Sequence, residues 1–126
     1  MLTAMSMSVQ RVIPVLRIFD VTKAREFYLD YLGMSVDWEH RFEGTAPLYL
    51  QVSRGDLVLH LSEHYGDGTP GTVIYIEVRG VREYHAELVA RSYNYLRPAL
   101  EEDDIGTGLQ LIDPFGNRIR FTERPF

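Results

Sequence analysis

The chain repeats its apolar pattern at an offset of sixty residues. Residues 13–21 (IPVLRIFDV) align with residues 73–81 (VIYIEVRGV), and residues 60–63 (HLSE) align with residues 120–123 (RFTE) without a gap. A long period with only two copies argues against a solenoid, which needs several stacked repeats. We therefore expect one module used twice, with the two halves facing each other across a cleft.

Length and composition predict a single domain. With 45% hydrophobic and 25% charged residues, the 126-residue chain can bury one core but not two independent ones. We expect one domain over residues 1–126, with module 1 at about 11–63, module 2 at about 73–124, and residues 1–10 as an N-terminal arm. No apolar run approaches the roughly 18 residues of a membrane span, and the N-terminus lacks the apolar segment of a signal peptide. These features predict a cytoplasmic protein.

Charge and cysteine content exclude several kinds of function. The sequence contains no cysteine, which removes disulfides, thiolate metal sites and cysteine nucleophiles. A net charge of −5 does not suit non-specific nucleic-acid binding, because that requires a basic surface. The same charge suits a cationic small molecule, although a charge of this size more often serves solubility.

Hydrophobic periodicity predicts the order βαβββ in each module, which is an α+β fold. The first helix is expected to be capped by Asp20 or Thr22 and to end at Gly33. The predicted strands of module 1 are residues 11–19, 35–42, 48–54 and 57–62, with a helix from 21 to 33; those of module 2 are 73–78, 96–101, 108–112 and 118–122, with a helix at 81–91.

Alternation along these strands gives each sheet two different faces. One face is apolar and is expected to pack against the helices, while the opposite, mixed face is expected to line the cleft. Apolar walls with a few polar groups are suited to a small molecule. The apolar face carries Leu16, Ile18, Leu59, Leu61, Ile74, Ile76, Val78, Ile119 and Phe121, and the mixed face carries Ile13, Val15, Arg17, Val58, His60, Ser62, Val73, Tyr75, Glu77, Arg118, Arg120 and Thr122.

Four segments resemble the vicinal oxygen chelate superfamily, and most closely its bleomycin resistance protein branch. They are residues 21–33 (VTKAREFYLDYLG), 54–63 (RGDLVLHLSE), 75–78 (YIEV) and 113–122 (DPFGNRIRFT), and the resemblance spans residues 11–124. It implies two tandem βαβββ modules that form a concave mixed sheet, usually in a homodimer. Because one fold serves many chemistries, the resemblance by itself fixes no reaction.

The metal positions of the superfamily are altered in this chain. Its enzymes take His, Gln or Glu ligands from four equivalent cleft positions, which the resemblance and the repeat place at Ile13, His60, Val73 and Arg120. Two of these side chains are apolar, and an arginine cannot ligate a metal. With only His60 left, neither a metal nor another cofactor is expected, and the resemblance points to the non-enzymatic binding branch.

Aromatic side chains are the first candidates for a ligand site. The resemblance implies an aromatic slot, which in the resistance proteins stacks on the flat bithiazole of the drug. Trp38 and Tyr75 would form its walls with Phe42, and Tyr49 would lie behind them. Since most tryptophans are core residues, a structural role for Trp38 stays open.

Strand alternation around Trp38 also makes a prediction about charge. Trp38 shares parity with Val36, whereas Asp37 and Glu39 point to the opposite face. Together with Glu43, these acids would attract a cationic tail of the ligand, or they form only a solvated edge.

Polar candidates on the mixed face are His60, Ser62 and Arg120. His60 either contacts the ligand as a neutral or charged imidazole, or pairs with Ser62 or a neighbouring strand. Arg120 either contacts the ligand or forms an ion pair with Glu77. The motif His60-x-x-Glu63-His64 resembles an inverted zincin signature, but a strand would separate its histidines by about 13 Å.

Together with the altered metal positions, the resemblance to the bleomycin resistance branch implies a dimeric, non-catalytic protein that sequesters a bleomycin-type glycopeptide antibiotic and thereby confers resistance. The first alternative is a metal-dependent lyase, isomerase or dioxygenase of the same superfamily, which Ile13, Val73 and Arg120 disfavour. The second is a binding protein for another small aromatic ligand. The partners expected are therefore a small molecule and a second copy of the chain, with neither nucleic acid nor membrane.

Overall fold

A computed structural model of the chain describes residues 6–41, 43–93 and 96–125. Two four-stranded mixed sheets have the orders β1-β4-β3-β2 and β5-β8-β7-β6, and in each the first strand of the module runs parallel to its last strand. This arrangement confirms the predicted α+β fold of two βαβββ modules. The elements are β1 (Val15–Arg17), α1 (Val21–Arg25), a π-helical segment (Glu26–Tyr31), β2 (Ser35–Arg41), β3 (Leu48–Arg54), β4 (Leu57–Ser62), β5 (Val73–Glu77), α2 (Val81–Arg91), β6 (Leu100–Glu102), β7 (Thr107–Ile112) and β8 (Arg118–Glu123).

Two predicted strands are shorter than the sequence suggested by several residues, and a proline limits each of them. The first strand was expected over residues 11–19 but pairs only over Val15–Arg17. Pro14 has no N–H for the ladder, although its carbonyl accepts a hydrogen bond from His60 N at 2.9 Å. The strand expected at residues 96–101 begins only after Pro98 and covers Leu100–Glu102.

The apolar faces of both sheets form the core with the helices, as predicted. Six of the nine predicted core-face residues are buried, and the remaining three, Ile74, Ile76 and Val78, are partly buried and pack against them. The core cluster therefore contains side chains from both modules. No helix in the described part of the chain is long and apolar enough to cross a membrane.

The first helix starts as predicted and then widens. Asp20 is its N-cap and accepts a hydrogen bond from Lys23 N at 2.9 Å. After Arg25 the helix continues as a π-helical segment, in which Phe27, Tyr28 and Tyr31 are all buried. The 3.6-residue pattern predicted the helix but not this change of pitch, which is rare and has no simple sequence signature.

A buried carboxylate links the two modules beneath the sheets. The Tyr28 hydroxyl donates to Asp113 Oδ2 at 2.6 Å, and the backbone N–H groups of Phe115 and Asn117 donate to Asp113 Oδ1. The Asn117 side chain donates to Asp113 Oδ2 and also to the carbonyl of Arg17 in module 1. This network fixes the end of β7 and the turn after it against the π-helical segment and β1.

A second group of hydrogen bonds lies at the C-terminal end of the first helix. Its last carbonyls accept hydrogen bonds from three side chains: Arg54 and Tyr84 donate to Leu32 O at 3.1 and 2.8 Å, and Arg91 donates to Tyr31 O at 2.8 Å. Helix termini leave such carbonyls without partners inside the helix, so these contacts satisfy groups that would otherwise be unpaired. Tyr84 and Arg91 belong to module 2, so this second group also holds the modules together.

We predict that replacing Tyr28 by Phe lowers the free energy of unfolding by about 1.5–3 kcal/mol, because a buried hydrogen bond to a charged acceptor is lost. Urea unfolding followed by circular dichroism measures this change. Tyr65→Phe is the matched control, since Tyr65 is 97% exposed and its substitution should stay within about 0.5 kcal/mol. Equal effects of the two substitutions would contradict a structural role for the Asp113 network.

Candidate functional site

The mixed face of the first sheet carries an aromatic cluster made of Trp38, Tyr49 and His60. The Trp38 and Tyr49 rings are nearly parallel, with an angle of 8° and centroids 6.0 Å apart. His60 stands edge-on to both, with centroids 5.2 Å from Trp38 and 5.1 Å from Tyr49. Trp38 is 43% exposed, so part of its ring is open to a ligand rather than buried in the core.

A β-bulge gives Trp38 this orientation and corrects the predicted parity. Val36 pairs with Val52, but Trp38 pairs with Gln51, so Asp37 is an extra residue in β2. Val36 therefore packs against the core while Trp38 lies on the mixed face. The prediction that Trp38 and Val36 share a face was wrong, because strict alternation does not hold across a bulge.

The three acids near Trp38 do not act together. Asp37 lies on the mixed face, where it accepts hydrogen bonds from Gln51 and Ser53. Glu39 forms an ion pair with Arg25 of α1 at 2.6 Å, and Glu43 lies in the exposed turn after β2. The predicted acidic group around the slot is therefore reduced to one carboxylate. Phe42, the other aromatic candidate on this strand, lies outside the described residues.

Hydrogen bonds join the polar groups of this face across β2, β3 and β4. His60 Nδ1 is 2.7 Å from the Tyr49 hydroxyl, and His60 Nε2 is 3.0 Å from Gln51 Oε1. Gln51 Nε2 donates to Asp37 Oδ2 at 3.0 Å. Of the two structural roles considered for His60, pairing with Ser62 or with a neighbouring strand, the structure shows the second. Gln51 was missed from the sequence, although the register that places it opposite His60 follows from the predicted β3–β4 hairpin.

Burial, hydrogen bonds and, to a smaller extent, the charge of Arg11 set the protonation of these groups. Burial lowers the pKa of His60, and the Arg11 guanidinium lowers it further. Hydrogen bonds from Gln51 and Ser53 lower the pKa of Asp37, with a smaller contribution from Arg11. His60 is therefore held neutral and Asp37 ionised. Arg11 was not among the predicted site residues, although it stands at the start of the first predicted strand, over residues 11–19. In the structure it precedes β1.

Ser62 lies beneath the surface of the mixed face of the first sheet. It is fully buried, its hydroxyl donates to Asp67 Oδ2 at 2.8 Å, and it accepts a hydrogen bond from His64 N. Asp67 is only partly buried and lies close enough to Tyr49 to contribute, after burial, to the raised pKa of the Tyr49 hydroxyl. Ser62 therefore has no surface of its own on the mixed face, and its contact with a ligand stays a prediction.

The mixed face of the second sheet holds Tyr75 and Arg120 beside a cavity of about 340 Å³. Tyr75 is 51% exposed and donates to Glu77 at 3.2 Å, while Arg120 Nε donates to Gln110 Oε1 at 2.8 Å. Glu77 lies 3.8 Å from Arg124, so the expected ion pair of Arg120 with Glu77 is replaced by these two contacts. Other residues around the cavity include Glu101, Asp103, Ile105, Leu109 and Thr122.

The residues present do not fit the metal site of the superfamily. Ile13 and Val73 offer no donor atom, and Arg120 is a cation that donates to Gln110. Both ring nitrogens of His60 already take part in hydrogen bonds. Within residues 6–41, 43–93 and 96–125, no three His, Asp or Glu side chains come together as metal ligands.

Comparison with known proteins places the chain in a family. The sequence matches the family described as "Glyoxalase superfamily protein" over residues 2–125, and it has no significant match among curated proteins. A bleomycin-binding protein from bleomycin-producing Streptomyces verticillus, solved with copper(II)-bleomycin, is 30% identical with a TM-score of 0.68, and the match covers 93% of this chain and 98% of that chain. A bleomycin resistance determinant encoded on the transposon Tn5 is 23% identical with a TM-score of 0.71, covering 94% of this chain and 100% of that chain.

We predict that the purified protein contains no stoichiometric zinc, nickel, iron or manganese, because one plausible ligand remains where three or four are needed. Elemental analysis of protein prepared without chelators measures this directly. A content near one metal ion per chain that disappears in His60→Ala, but not in the control His85→Ala on α2, would contradict this prediction.

Proposed function

The chain belongs to the glyoxalase superfamily, and from this premise we propose that it binds and sequesters a bleomycin-type glycopeptide antibiotic without altering it. The observation that carries the proposal is the Trp38 ring, part exposed and nearly parallel to Tyr49 on the mixed face of the first sheet. The similarity to bleomycin-binding and bleomycin resistance proteins supports the same reading.

The aromatic groups suit a planar part of the ligand. An offset ring stacked on Trp38 or Tyr75 would gain about 0.5–1.5 kcal/mol per pair beyond the burial of its area. Tyr75 is about half exposed on the second sheet, so each mixed face presents one aromatic surface. A ligand as large as a glycopeptide can contact several such groups, whereas a small metabolite contacts few of them.

The charges suit a cationic ligand. The protein carries a net charge of −5, and Glu101 and Asp103 are exposed beside the cavity of the second sheet. Opposite net charges accelerate encounter and favour binding at low salt. Arg120 lies at the same cavity, so the cationic part of the ligand is expected nearer to the acids than to this arginine.

Binding without catalysis is favoured over the metal-dependent reactions of the superfamily. Those reactions use ligands at the positions that Ile13, Val73 and Arg120 occupy here. The donor atoms left on the mixed faces belong to residues that already bond to one another, such as His60 and Gln51. This chain therefore offers a shaped surface rather than an open coordination site.

We predict that bleomycin changes Trp38 fluorescence saturably, with one ligand bound per subunit. Calorimetric titration with metal-free and copper-loaded drug should give the same stoichiometry. Replacing Trp38 or Tyr75 by Leu should weaken binding by about 1–3 kcal/mol, because aromatic side chains often dominate binding energy. Added salt should also weaken binding.

The control for these substitutions is Val89→Ala, which removes exposed apolar surface from α2 and should leave the affinity unchanged. If neither a change in fluorescence nor a heat of binding is detected at high micromolar bleomycin, the proposed function is wrong while the fold assignment remains.

We also propose that the protein is a homodimer whose subunit boundary borders each ligand site. Apolar side chains such as Val12, Val73 and Ile105 are strongly exposed in the single chain. Two-fold pairing is the commonest way to cover such groups.

Sedimentation velocity at micromolar concentration should therefore show a dimer. A monomer with unchanged bleomycin binding would show that the ligand site does not need a second subunit.

A further inference from the structure

The hydrogen bonds on the mixed face of the first sheet run in one direction. They start at the Asp37 carboxylate on β2, pass through Gln51 on β3 and His60 on β4, and return to Tyr49 on β3. We define these four side chains as the polar chain. Its direction follows from the donors and acceptors that each group possesses.

The carboxylate fixes the first two steps. Ionised Asp37 can only accept hydrogen bonds, so the amide nitrogen of Gln51 must point toward it. The amide oxygen of Gln51 then points to His60 Nε2 at 3.0 Å. An oxygen can only accept, so His60 must carry its proton on Nε2. With the amide reversed, the Gln51 oxygen would face the carboxylate oxygen, which is repulsive.

The last step decides what Tyr49 offers to a ligand. A neutral imidazole with its proton on Nε2 has a bare Nδ1, which is an acceptor. The Tyr49 hydroxyl, 2.7 Å away, must therefore donate its only proton to Nδ1. Toward any other partner, the phenolic oxygen can therefore act only as an acceptor.

We propose that Tyr49 Oη is an acceptor subsite that selects a hydrogen-bond donor on the ligand, namely an amine, amidinium or amide N–H next to the ring that stacks on Trp38. This inference rests on the proposed function and specifies the chemistry of its ligand. Trp38 lies beside Tyr49, and both side chains are at least partly exposed, so one ligand can contact both. A carboxylate at the same place would bring its oxygen against the phenolic oxygen, and neither atom would supply a proton for a hydrogen bond.

Some charges around the subsite favour a cationic ligand and others oppose it. Asp67 and the ionised Asp37 favour a cationic donor, while Arg11 near His60 opposes it. The His64 ring lies beside the Tyr49 ring, with centroids 6.3 Å apart. Variants that keep the net charge can therefore separate the effect of hydrogen-bond direction from the effect of charge.

The first test compares two small probes of similar shape. Benzamidine carries N–H donors and benzoate only acceptors, and the shift of the Trp38 indole proton in NMR measures the binding of each. The wild type should bind benzamidine at least about tenfold more tightly than benzoate, as expected for a charge-assisted hydrogen bond. In Tyr49→Phe this ratio should fall about threefold to tenfold, because the acceptor is lost while the net charge is unchanged. No preference in the wild type, or an unchanged ratio in Tyr49→Phe, would overturn the proposal.

The second test reverses the polar chain. In Asp37→Asn, the new amide can donate to the Gln51 oxygen, which allows Gln51 to turn and donate to His60 Nε2. The proton of His60 then moves to Nδ1, and the Tyr49 hydroxyl becomes free to donate to a ligand. Nitrogen-15 NMR of the imidazole should show the Nε2–H form in the wild type and a gain of the Nδ1–H form in Asp37→Asn, with a lower benzamidine-to-benzoate ratio.

Glu39→Gln is the matched control, since it removes the same charge two residues away, from a side chain that pairs with Arg25. It should leave the tautomer and the probe ratio unchanged. An Nδ1–H tautomer in the wild type, or equal effects of Asp37→Asn and Glu39→Gln, would overturn the inference. A protein that does not bind bleomycin but keeps the tautomer and the probe preference would overturn only the proposed function.

Discussion

The buried carboxylate of Asp113 is the interaction on which the arrangement of the two modules depends. An ion is tolerated below the surface only when its oxygens are well supplied with donors, and Asp113 receives hydrogen bonds from Tyr28, Phe115 and Asn117. Because Asn117 also reaches the carbonyl of Arg17, the same group positions β1. β1 in turn is the parallel partner of β4, which carries His60. The geometry of the aromatic face is thus tied to a contact on the opposite side of the sheet.

The two modules use the same register for different chemistry. Gln51 lies opposite His60 on β3 and β4, and Gln110 lies opposite Arg120 on β7 and β8. Each glutamine oxygen accepts a hydrogen bond from the residue it faces. One repeat therefore presents a neutral imidazole among aromatic rings, and the other a permanent cation beside a cavity with acids at its rim. The repeat thus places polar pairs at equivalent positions, and the different residues there give the two faces different chemistry.

The fold could be predicted from the sequence because its signals are local and periodic. β3, β4 and α2 have the predicted bounds, and superfamily membership agrees with the resemblance of residues 113–122 and the other segments. The site could be predicted only in part. Trp38, Tyr49 and His60 do come together, but the face of Trp38 depends on a bulge that strict alternation cannot show. Arg11 lowers the pKa of His60 from the start of a predicted strand that pairs only from Val15 onward. Ser62 has the parity of the cleft but is fully buried, with its hydroxyl bonded to Asp67.

The bulge at Asp37 also bears on how such a site can arise. Val36 and Trp38 would alternate correctly in a regular strand from which Asp37 was absent, since they already lie on opposite faces. The bulge residue is therefore equivalent to an insertion that leaves the rest of the ladder in place. Gain or loss of a single codon, rather than a series of substitutions, is enough to add or remove the carboxylate beside Gln51. Related sequences that differ by one residue in the length of this strand are thus expected to keep the aromatic face and to differ in the polar groups that accompany it.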